Sequence, residues 1–482
     1  MLGEVSMRLV MKFGGTCVGN GANIRRSAEL AKTFKDEGNE VVAVVSAMAG
    51  VTDQLAQAAR RASGGEASFI DGFIDGLEER HSKAIDEAIR SSDIKGAIWS
   101  SLVKELNELK KLLTVIAYLR ELTPRSNDYV LSFGERLCAK VFTGSLKDLG
   151  VNAVYMTGWE AGIVTNSNHG EARPLMDLTV KRVNERISRL LAEGSLPVVT
   201  GFIAADEEGI VTTLGRGGSD YTATIIGASI KADEVIVWKD VDGIMTADPK
   251  LVTDAKPLPR ISYEEATELA YFGAKVLHPL ALEPLMEYGI PLRVKNFFNP
   301  KAAGTIIEGG AEGEGVVKAV TMIKDVAMLT ISGAGMVEAP AFNAKVFKSL
   351  SDADVNPIMV SQGSSQASLS VVIPRKDLAK AIKHIKEALT PNLYKVEDED
   401  DVCVVAVIGS GMRGTPGVAA KVFQAVAKKG INVRMIAQGS SELNISFVVK
   451  EGDGSKAVEA VHQEFELGFK PKSLMSTSKF PS

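Results

Sequence analysis

An internal repeat in the last third of the sequence constrains the fold more than any other feature. The segments that begin at Gly335 and Gly411 align without a gap at an offset of 76 residues. Each copy follows a strand-like run, at 326–332 or 402–408, and continues as a loop, a helix, a strand, a turn and a strand. This period is too long for a solenoid unit, so we interpret the repeat as two copies of one small βαββαβ domain.

The residues before the repeat alternate between strand-like and helix-like runs. A helix is predicted at 23–34, and leucines at helical spacing over 102–116 predict another. Strands are predicted at 8–13, 41–45, 198–200, 210–213 and 234–238. This alternation predicts an α/β domain with a mostly parallel central sheet. We interpret the glycine- and glutamate-rich run at 308–315 as the linker that ends this domain.

Composition excludes several classes of function. The net charge of −5, with 24% charged and 45% hydrophobic residues, is ordinary for a globular protein and gives no reason to expect a nucleic-acid or membrane partner. The three cysteines form no CxxC pair and the five histidines show no metal-binding spacing, so we expect no metal held by the protein. No apolar run is long enough for a signal peptide or a membrane span, which predicts a cytoplasmic protein.

A motif in the second repeat resembles a dinucleotide-binding fingerprint, but we do not interpret it as a dinucleotide site. Gly409, Gly411 and Gly414 spell GxGxxG between a strand and a helix. The following strand ends at Gln438 and lacks the acid that would bind a ribose, and the sister copy has Glu338 in place of the third glycine. These glycines are therefore expected to shape a strand-to-helix turn, which can also lie near an effector.

A glycine pair follows the first predicted strand. Gly14 and Gly15 would let phosphate oxygens approach backbone N–H groups, the next helix would offer its N-terminus, and Lys12 would supply a positive charge. After the second strand, the hydroxyls of Ser46 and Thr52 stand where strand ends meet ligands in open α/β sheets. The alternatives are a plain turn for the glycines and helix capping for Thr52.

Two further motifs offer groups that suit an amino acid. Glu135 follows a glycine and could bind a substrate ammonium group, although an acid in a first helical turn is an alternative. Arg216 is surrounded by three glycines and could grip a carboxylate with two hydrogen bonds. Ser219 and Asp220 follow at the start of the next helix, where capping is the alternative.

Two motifs near the end of this domain could meet a nucleotide. The polar run 238–250 follows a strand, and an ordinary solvated loop is the alternative. Lys275 lies in an apolar setting that could bring a desolvated lysine beside phosphates, and a lysine that reaches out to solvent is the alternative.

Taken together and in this order, these motifs strongly resemble those of the amino-acid-kinase family and, within it, the aspartate kinases. The runs KFGGT, VSAMAGVT, SFGER, TLGRGGSD and FGAKVLHP follow the family order, and the two C-terminal copies resemble paired ACT domains, which bind amino-acid effectors. The resemblance implies an αβα sandwich with a mostly parallel sheet over 7–308 and ferredoxin-like βαββαβ ACT domains over 318–392 and 394–475. We expect no appended homoserine dehydrogenase.

The resemblance implies a kinase that transfers the γ-phosphoryl group of ATP to the β-carboxylate of L-aspartate, with Mg²⁺ bridging the ATP phosphates. The product, 4-phospho-L-aspartate, would begin lysine, threonine and methionine biosynthesis. The implied catalytic residues are Lys12, Arg216 and Asp220. The implied aspartate-binding residues are Ser46, Thr52, Glu135, Arg216 and Ser219. The implied nucleotide-binding residues are Lys12, Gly14, Gly15, Lys239, Asp240, Met245, Lys250, Lys275 and Val276, with Met245 in place of the family's common tyrosine.

The repeats are expected to bind an inhibitory amino acid near four polar side chains, which are Asn356, Gln362, Asn432 and Gln438. These side chains suit a small hydroxylated amino acid, whereas lysine would need an acid for its ammonium group. We therefore expect threonine in preference to lysine. Regulatory copies of this kind usually pair side by side, so we expect a homodimer or a dimer of dimers formed through the ACT domains.

Two rival functions are weighed against this one. A kinase of the same fold could act on glutamate or acetylglutamate, but the paired ACT copies and the SFGER and GRGGSD runs speak against it. A catalytically silent amino-acid sensor would not need Lys12, Glu135 and Arg216, all of which are present.

Overall fold

The computed structural model describes residues 6–273, 277–310, 315–333, 339–363, 368–389 and 394–468. These residues divide into two compact units. The first unit contains residues 6–244, 259–263 and 277–310. The second unit contains residues 245–258, 264–273 and the described residues from 315 onward.

The first unit is centred on a sheet of eight strands. The strands of this unit are β1 (Arg8–Phe13), β2 (Glu40–Val45), β3 (Ala153–Met156), β4 (Val164–Thr165), β5 (Leu196–Thr200), β6 (Ile203–Asp206), β7 (Val211–Thr213), β8 (Glu234–Lys239), β9 (Arg260–Ser262), β10 (Leu292–Asn296) and β11 (Thr305–Glu308). The order in the sheet is β3-β5-β2-β1-β8-β10-β11-β9, and only the β10–β11 pair is antiparallel. The predicted α/β domain with a mostly parallel sheet is confirmed.

The inner strands are buried on both faces, as the continuous apolar run at 41–45 predicts. Every residue of β2 after Glu40 is buried, and β1 is buried from Leu9 onward. The run at 210–213 is a strand, as predicted, but it lies outside this sheet. It forms β7, which pairs antiparallel with β6 in a separate sheet of order β4-β6-β7.

Helices pack around the two sheets of the first unit. They are α1 (Gly21–Asp36), α2 (Val51–Ser63), α3 (Ile70–Ala88), α4 (Ser92–Leu119), α5 (Pro124–Asp148), α6 (Gly158–Ala161), α7 (Met176–Ala192), α8 (Gly218–Ser229) and α10 (Glu283–Tyr288). The helix α9 (Tyr263–Tyr271) begins at the last residue of a first-unit segment and continues into the second unit. The leucines that predicted α4 are buried in the same hydrophobic core as β1 and β2.

The second unit contains one antiparallel sheet in the order β13-β14-β12-β15-β17-β16. Its strands are β12 (Ala319–Ser332), β13 (Met359–Gln362), β14 (Ser368–Pro374), β15 (Lys395–Ile408), β16 (Met435–Gln438) and β17 (Asn444–Lys450). Its further helices are α11 (Ala339–Asp352), α12 (Leu378–Ala388), α13 (Val418–Lys428) and α14 (Glu451–Glu464). Both copies follow the element order that the repeat predicts.

The two repeats share their long strands. β12 and β15 pair from Ala319 beside Ile408 to Ser332 beside Lys395, with a shift of register near Val326. The first part of β12, at 319–323, therefore lies beside the second copy, where a fourth strand of that copy belongs. The second copy thus takes this strand from residues 319–323, which the predicted boundary at 318 assigned to the first copy.

The glycines of the GxGxxG run make close packing possible. A Cβ atom on Gly409 would lie 2.5 Å from the carbonyl oxygen of Val316, and one on Gly411 would lie 2.7 Å from that of Gly315. Backbone thus fills the space at these two positions, which agrees with the interpretation of the run as a turn. In the part of the chain that the structure describes, no helix combines the length and apolar character needed to span a membrane.

Candidate active site

A buried cluster of three charges lies at the carboxyl ends of two neighbouring parallel strands. Lys12 is in β1 and Lys239 ends β8, and the two strands pair in register from Leu9 to Phe13. Asp220, in the first turn of α8, forms ion pairs with both lysines. Lys12 Nζ lies 2.6 Å from its Oδ1, and Lys239 Nζ lies 2.9 Å from its Oδ2. Lys12 and Asp220 are each only 5% exposed.

The two lysines decide the charge of Asp220. Burial alone would raise the pKa of this carboxyl group, but the charges of Lys12 and Lys239 outweigh it and hold the pKa at about 2. Burial lowers the pKa of Lys12, and the carboxylate of Asp220 opposes this fall. With both lysines protonated, the cluster contains two cations for one anion. Such a surplus at the end of a parallel sheet suits an anionic ligand.

The glycine pair lies against Lys12 and the loop after β2. A Cβ atom on Gly14 would lie 3.3 Å from Lys12 Nζ, and one on Gly15 would lie 3.5 Å from the carbonyl oxygen of Ala47. At the N-terminus of α1, Asn20 caps the helix and Ala22 N donates to Glu87 of α3, and the use of this helix end for phosphate stays a prediction. The helix that begins beside the charged cluster is α8.

Glu135 is a buried carboxylate on α5. It is 4% exposed, and its Oε1 accepts a hydrogen bond from Ala47 N at 3.2 Å. Its Oε2 is buried and accepts no hydrogen bond from the residues that the structure describes. Burial raises the pKa of Glu135 to about 8, although the Ala47 N–H group and the charge of Lys12 oppose the rise. Since α5 begins at Pro124, the alternative of an acid in a first helical turn is wrong.

The loop after β2 lies against α5 beside Glu135. A Cβ atom on Gly134 would lie 2.9 Å from Ala47 Cβ and 3.7 Å from Thr52 Oγ1, so glycine lets the loop approach the helix. Ser46 is half-buried at the start of this loop, and its N–H donates to the carbonyl oxygen of Phe13. Gly50, with φ of 80°, precedes α2 as its cap, so the capping alternative for Thr52 is wrong.

The glycine loop that carries Arg216 turns sharply into α8. Gly215 and Gly217 have φ of 72° and 75°, values that favour glycine. Gly217 caps α8 without a side chain, so the capping alternative for Ser219 and Asp220 is wrong. Arg216 itself is exposed. A Cβ atom on Gly217 would lie 2.4 Å from His278 Cβ, which shows how closely the LHP segment packs on this loop.

The remaining nucleotide-side predictions fall on residues after β8 or outside the described residues. Asp240 is exposed after β8, and the structure fixes the neighbouring Asp242, which accepts from Asn296 and Asn299 at 2.9 and 3.2 Å. No spacing in the sequence predicted these hydrogen bonds. Met245 and Lys250 belong to the second unit, where Met245 packs on its core and Lys250 is exposed. Lys275 and Val276 lie outside the described residues.

The four predicted effector residues are all exposed in the second unit. Gln362 Oε1 accepts a hydrogen bond from Asn343 Nδ2 at 3.0 Å. Ser410, in the turn of the second copy, donates its N–H to Glu265 Oε1 at 2.7 Å. The matching turn of the first copy, at 334–338, lies outside the described residues.

The described residues do not fit a metal ion held by the protein. Among them there is no group of three or more histidine, cysteine, aspartate or glutamate side chains arranged to hold a metal. Both oxygens of Asp220 face lysine ammonium groups, which repel a cation.

Two family models match the chain. The amino acid kinase family matches residues 7–296, and the ACT domain matches 329–389 and 405–465. The bifunctional aspartokinase/homoserine dehydrogenase 1 of Zea mays is 37% identical over 95% of this chain and 50% of its own length. The chain thus spans about half the length of the bifunctional relatives that it matches. Aspartokinase 3 of Arabidopsis thaliana is 34% identical over 99% of this chain and 85% of its own length.

Solved structures agree with these matches. The structure of E. coli aspartokinase III in complex with aspartate and ADP has a TM-score of 0.80 and 28% identity, over 95% of this chain and 99% of that chain. The structure of the same enzyme in complex with lysine and aspartate has a TM-score of 0.79 over the same shares. By its fold, its tandem ACT domains and these relatives, the chain belongs to the aspartokinases of the amino acid kinase family.

Proposed function

We propose that the chain transfers the γ-phosphoryl group of ATP to the β-carboxylate of L-aspartate, giving 4-phospho-L-aspartate and ADP. The observation that carries this proposal is the buried cluster in which Asp220 pairs with both Lys12 and Lys239. Its surplus positive charge is suited to the phosphates of ATP and to the charge of the moving phosphoryl group. The relatives named aspartokinase, and the solved enzyme that holds aspartate and ADP, support this choice of substrates.

The reaction needs no general base, because a side-chain carboxyl with a pKa of about 3.9 is already ionised at neutral pH. One carboxylate oxygen attacks the γ-phosphorus, and the bond from that phosphorus to the bridging oxygen breaks. ADP leaves with the electron pair of the broken bond. Lys12 and Lys239 offset the charge of the phosphates, while Mg²⁺ enters with ATP as part of the nucleotide substrate.

We propose that the substrate aspartate is bound through its α-ammonium and α-carboxylate groups. The free, buried Oε2 of Glu135 is suited to the ammonium group, and the exposed guanidinium of Arg216 to the α-carboxylate. The hydroxyls of Ser46, Thr52 and Ser219 would add hydrogen bonds. On the nucleotide side we retain Gly14, Gly15, Asp240, Met245, Lys250, Lys275 and Val276 as proposed contacts.

A two-substrate assay tests the proposed function. The purified protein is incubated with Mg·ATP and, in separate reactions, with aspartate, glutamate and acetylglutamate, and the acyl phosphate is trapped with hydroxylamine. Aspartate is expected to give the highest kcat/KM. A preference for either other acceptor would assign the chain to a different kinase of the same fold, and no turnover with any acceptor would favour a silent sensor.

We further propose that the ACT domains bind an inhibitory amino acid, threonine in preference to lysine. The exposed amides of Asn356, Gln362, Asn432 and Gln438 support a small polar ligand. The E. coli enzyme solved with lysine makes lysine the direct alternative. The product would then begin lysine, threonine and methionine biosynthesis, with the inhibitor taken from among its end products.

We also propose a homodimer or a dimer of dimers formed through the ACT domains. β13 and β16 are the outer strands of the second-unit sheet, and each carries an exposed apolar residue at the matching repeat position, Val360 and Ile436. Side-by-side pairing of two chains would cover such residues. Light scattering on the purified protein should give at least twice the chain mass of 51.3 kDa. We propose a cytoplasmic location, although the plant relatives are named chloroplastic.

A further inference from the structure

Asp128 is a buried carboxylate that the proposed chemistry does not use. It is 0% exposed in the second turn of α5. Its Oδ2 accepts three hydrogen bonds, from His169 Nδ1 at 2.9 Å, Gly170 N at 3.0 Å and Thr213 N at 3.2 Å. Its Oδ1 accepts a fourth from Thr213 Oγ1 at 2.7 Å. Four donors on one buried carboxylate make a rigid junction between α5 and two loops.

Both loops support the turn that carries Arg216. Thr213 ends β7, and the chain passes from it through Leu214 and Gly215 to Arg216. The loop at 169–171 lies on the other side of this turn, because a Cβ atom on Gly215 would lie 3.4 Å from Gly170 O and from Glu171 Cγ. Asp128 thus fixes the residue that precedes the turn and the loop that packs on it.

The same helix also carries Glu135. Asp128 and Glu135 are seven residues apart, so they lie on one face of α5, separated by about 10 Å along its axis. One end of this short stretch of helix is tied to the Arg216 turn, and the other end carries the carboxylate proposed to bind the substrate ammonium.

We propose that Asp128 is a positioning residue that fixes the separation between Glu135 and Arg216, and thereby sets the affinity for the backbone groups of the amino-acid substrate. This inference rests on the proposed function. It assigns Asp128 no contact with aspartate and no part in binding ATP, so a defect at this residue should affect one substrate and not the other.

The test compares Asp128→Asn with a matched variant, Asp148→Asn. Asp148 ends the same helix, its side chain is 5% exposed, and it accepts hydrogen bonds from Ser91 N at 2.7 Å and from Arg25, far from the Arg216 turn. An amide at position 128 cannot accept all four donors. We expect Asp128→Asn to raise the aspartate KM roughly tenfold or more with the ATP KM unchanged. Asp148→Asn should change neither KM, even if both variants lower the melting temperature.

Steady-state kinetics, with aspartate binding measured by calorimetry, separates the outcomes. An unchanged aspartate KM in a folded Asp128→Asn variant would overturn the proposal, as would an equal rise for both substrates. If Asp128→Asn does not fold, Thr213→Val removes one donor and should raise the aspartate KM by a smaller factor, with the ATP KM unchanged; no rise overturns the proposal. Wild-type protein that phosphorylates no aspartate would defeat the proposed function itself, a result distinct from failure of the Asp128 variants.

Discussion

Lys12 and Asp220 are charged side chains that are buried, and burying a charge costs free energy. An isolated charge loses its hydration on burial, and only a well-placed partner offsets that loss. Here each group is 5% exposed and the two lie 2.6 Å apart, with Lys239 on the second carboxylate oxygen. The charges are therefore held in position before any substrate arrives. Charge fixed in this way stabilises a transition state with little reorganisation.

Lys12 and Arg216 are expected to affect different kinetic constants. Lys12→Met keeps most of the apolar stem and removes the charge that acts on the moving phosphoryl group, so kcat should fall on the order of a hundredfold or more. Arg216→Ala removes a charge-assisted hydrogen bond to bound substrate and should raise the aspartate KM roughly ten- to a hundredfold. Initial rates measured over both substrate concentrations give the two constants for each variant.

Each of these variants is the control for the other. A Lys12→Met protein that loses only aspartate affinity would show that Lys12 contacts the aspartate and not the phosphates. A folded Arg216→Ala protein with unchanged aspartate KM and kcat would remove Arg216 from the binding site.

Glu135 is expected to make aspartate phosphorylation depend on pH. Its pKa is raised by burial to about 8, so in the free enzyme the carboxyl group is mostly protonated at neutral pH. Only the ionised form is suited to the ammonium group of aspartate. We therefore expect kcat/KM for aspartate to rise as pH increases towards about 8 and then to level off. The measurement is kcat/KM for aspartate between pH 6 and pH 9 at saturating ATP.

Glu135→Gln is the matched variant for this profile, because glutamine has nearly the same shape and does not titrate. It should lower kcat/KM and remove the rise. The same slope in the glutamine variant would assign the ionisation to another group.

At the scale of elements, part of the chain that precedes the repeats belongs to the second unit. Ala247, Val252 and Ala255 are buried in the hydrophobic core of the second copy. Thr246 Oγ1 lies 3.0 Å from Nε2 of His462, which is fully buried on α14. Residues 245–258, between β8 and β9, thus belong to the same compact unit as the second ACT copy.

The helix α9 is also tied to the ACT copies, through a buried ion pair. Glu265 is 0% exposed, and its Oε2 lies 2.8 Å from Lys318 Nζ just before β12. Its Oε1 accepts the N–H of Ser410 in the turn near which we place the effector. A change at this turn on effector binding would therefore reach α9, and the chain continues from α9 towards Lys275.

Glu265→Gln is expected to weaken feedback inhibition. The amide can still accept from Ser410 but removes the charge that faces Lys318, so the effector concentration for half inhibition should shift about fivefold or more. The measurement is initial rate against effector concentration, with each curve scaled to the rate without effector. Glu234→Gln removes a similar carboxylate that pairs with Arg293 in the first unit, and it should leave that concentration unchanged.

An unchanged inhibition curve in Glu265→Gln would show that this pair does not transmit the effector signal. If the single variant is too unstable to purify, the double variant Glu265→Gln with Lys318→Met replaces both charges and tests the same link.

The sequence predicted local features well and non-local pairing poorly. The uniform apolar run of β2 and the leucine spacing of α4 are sufficient because each reflects burial along a single element. The motifs that contain Lys12, Glu135 and Asp220 named residues that the structure places in buried positions. The ion pair between Lys239 and Asp220 was not predicted, because no periodicity in a chain encodes which side chains meet across a fold.

The shared strands of the repeats show the same limit. A gapless repeat predicts two equivalent domains, and it contains no signal that residues 319–323 pair with the far end of β15. Strand pairing between segments this distant in sequence depends on the closure of the whole sheet. The buried position of Asp128 was not predicted for a related reason, because its four hydrogen-bond donors come from residues 41 to 85 positions away in the sequence.

At the scale of the whole molecule, the chain combines a region of the amino acid kinase family with two ACT copies. Inhibition requires that the effector bind an inactive state more tightly than the active one. The two ACT copies differ around the proposed effector positions, because Glu338 in the first copy has Gly414 as its counterpart in the second. In the second copy the carboxylate at this turn is that of Glu442, which already accepts a hydrogen bond from Gly414 N at 2.6 Å, whereas the amides Gln362 and Gln438 occur in both copies.

Threonine is therefore expected to inhibit the enzyme more strongly than lysine or methionine. Activity is measured against each amino acid separately, at an aspartate concentration near KM. Gln438→Ala should raise the threonine concentration for half inhibition roughly tenfold, the effect of one lost hydrogen bond. Gln463→Ala, an exposed glutamine on α14 of the same unit, is the matched control and should leave the threonine response unchanged. Inhibition by lysine and not by threonine would reverse the choice of effector, and a response to none of the three would remove the regulatory role proposed for the repeats.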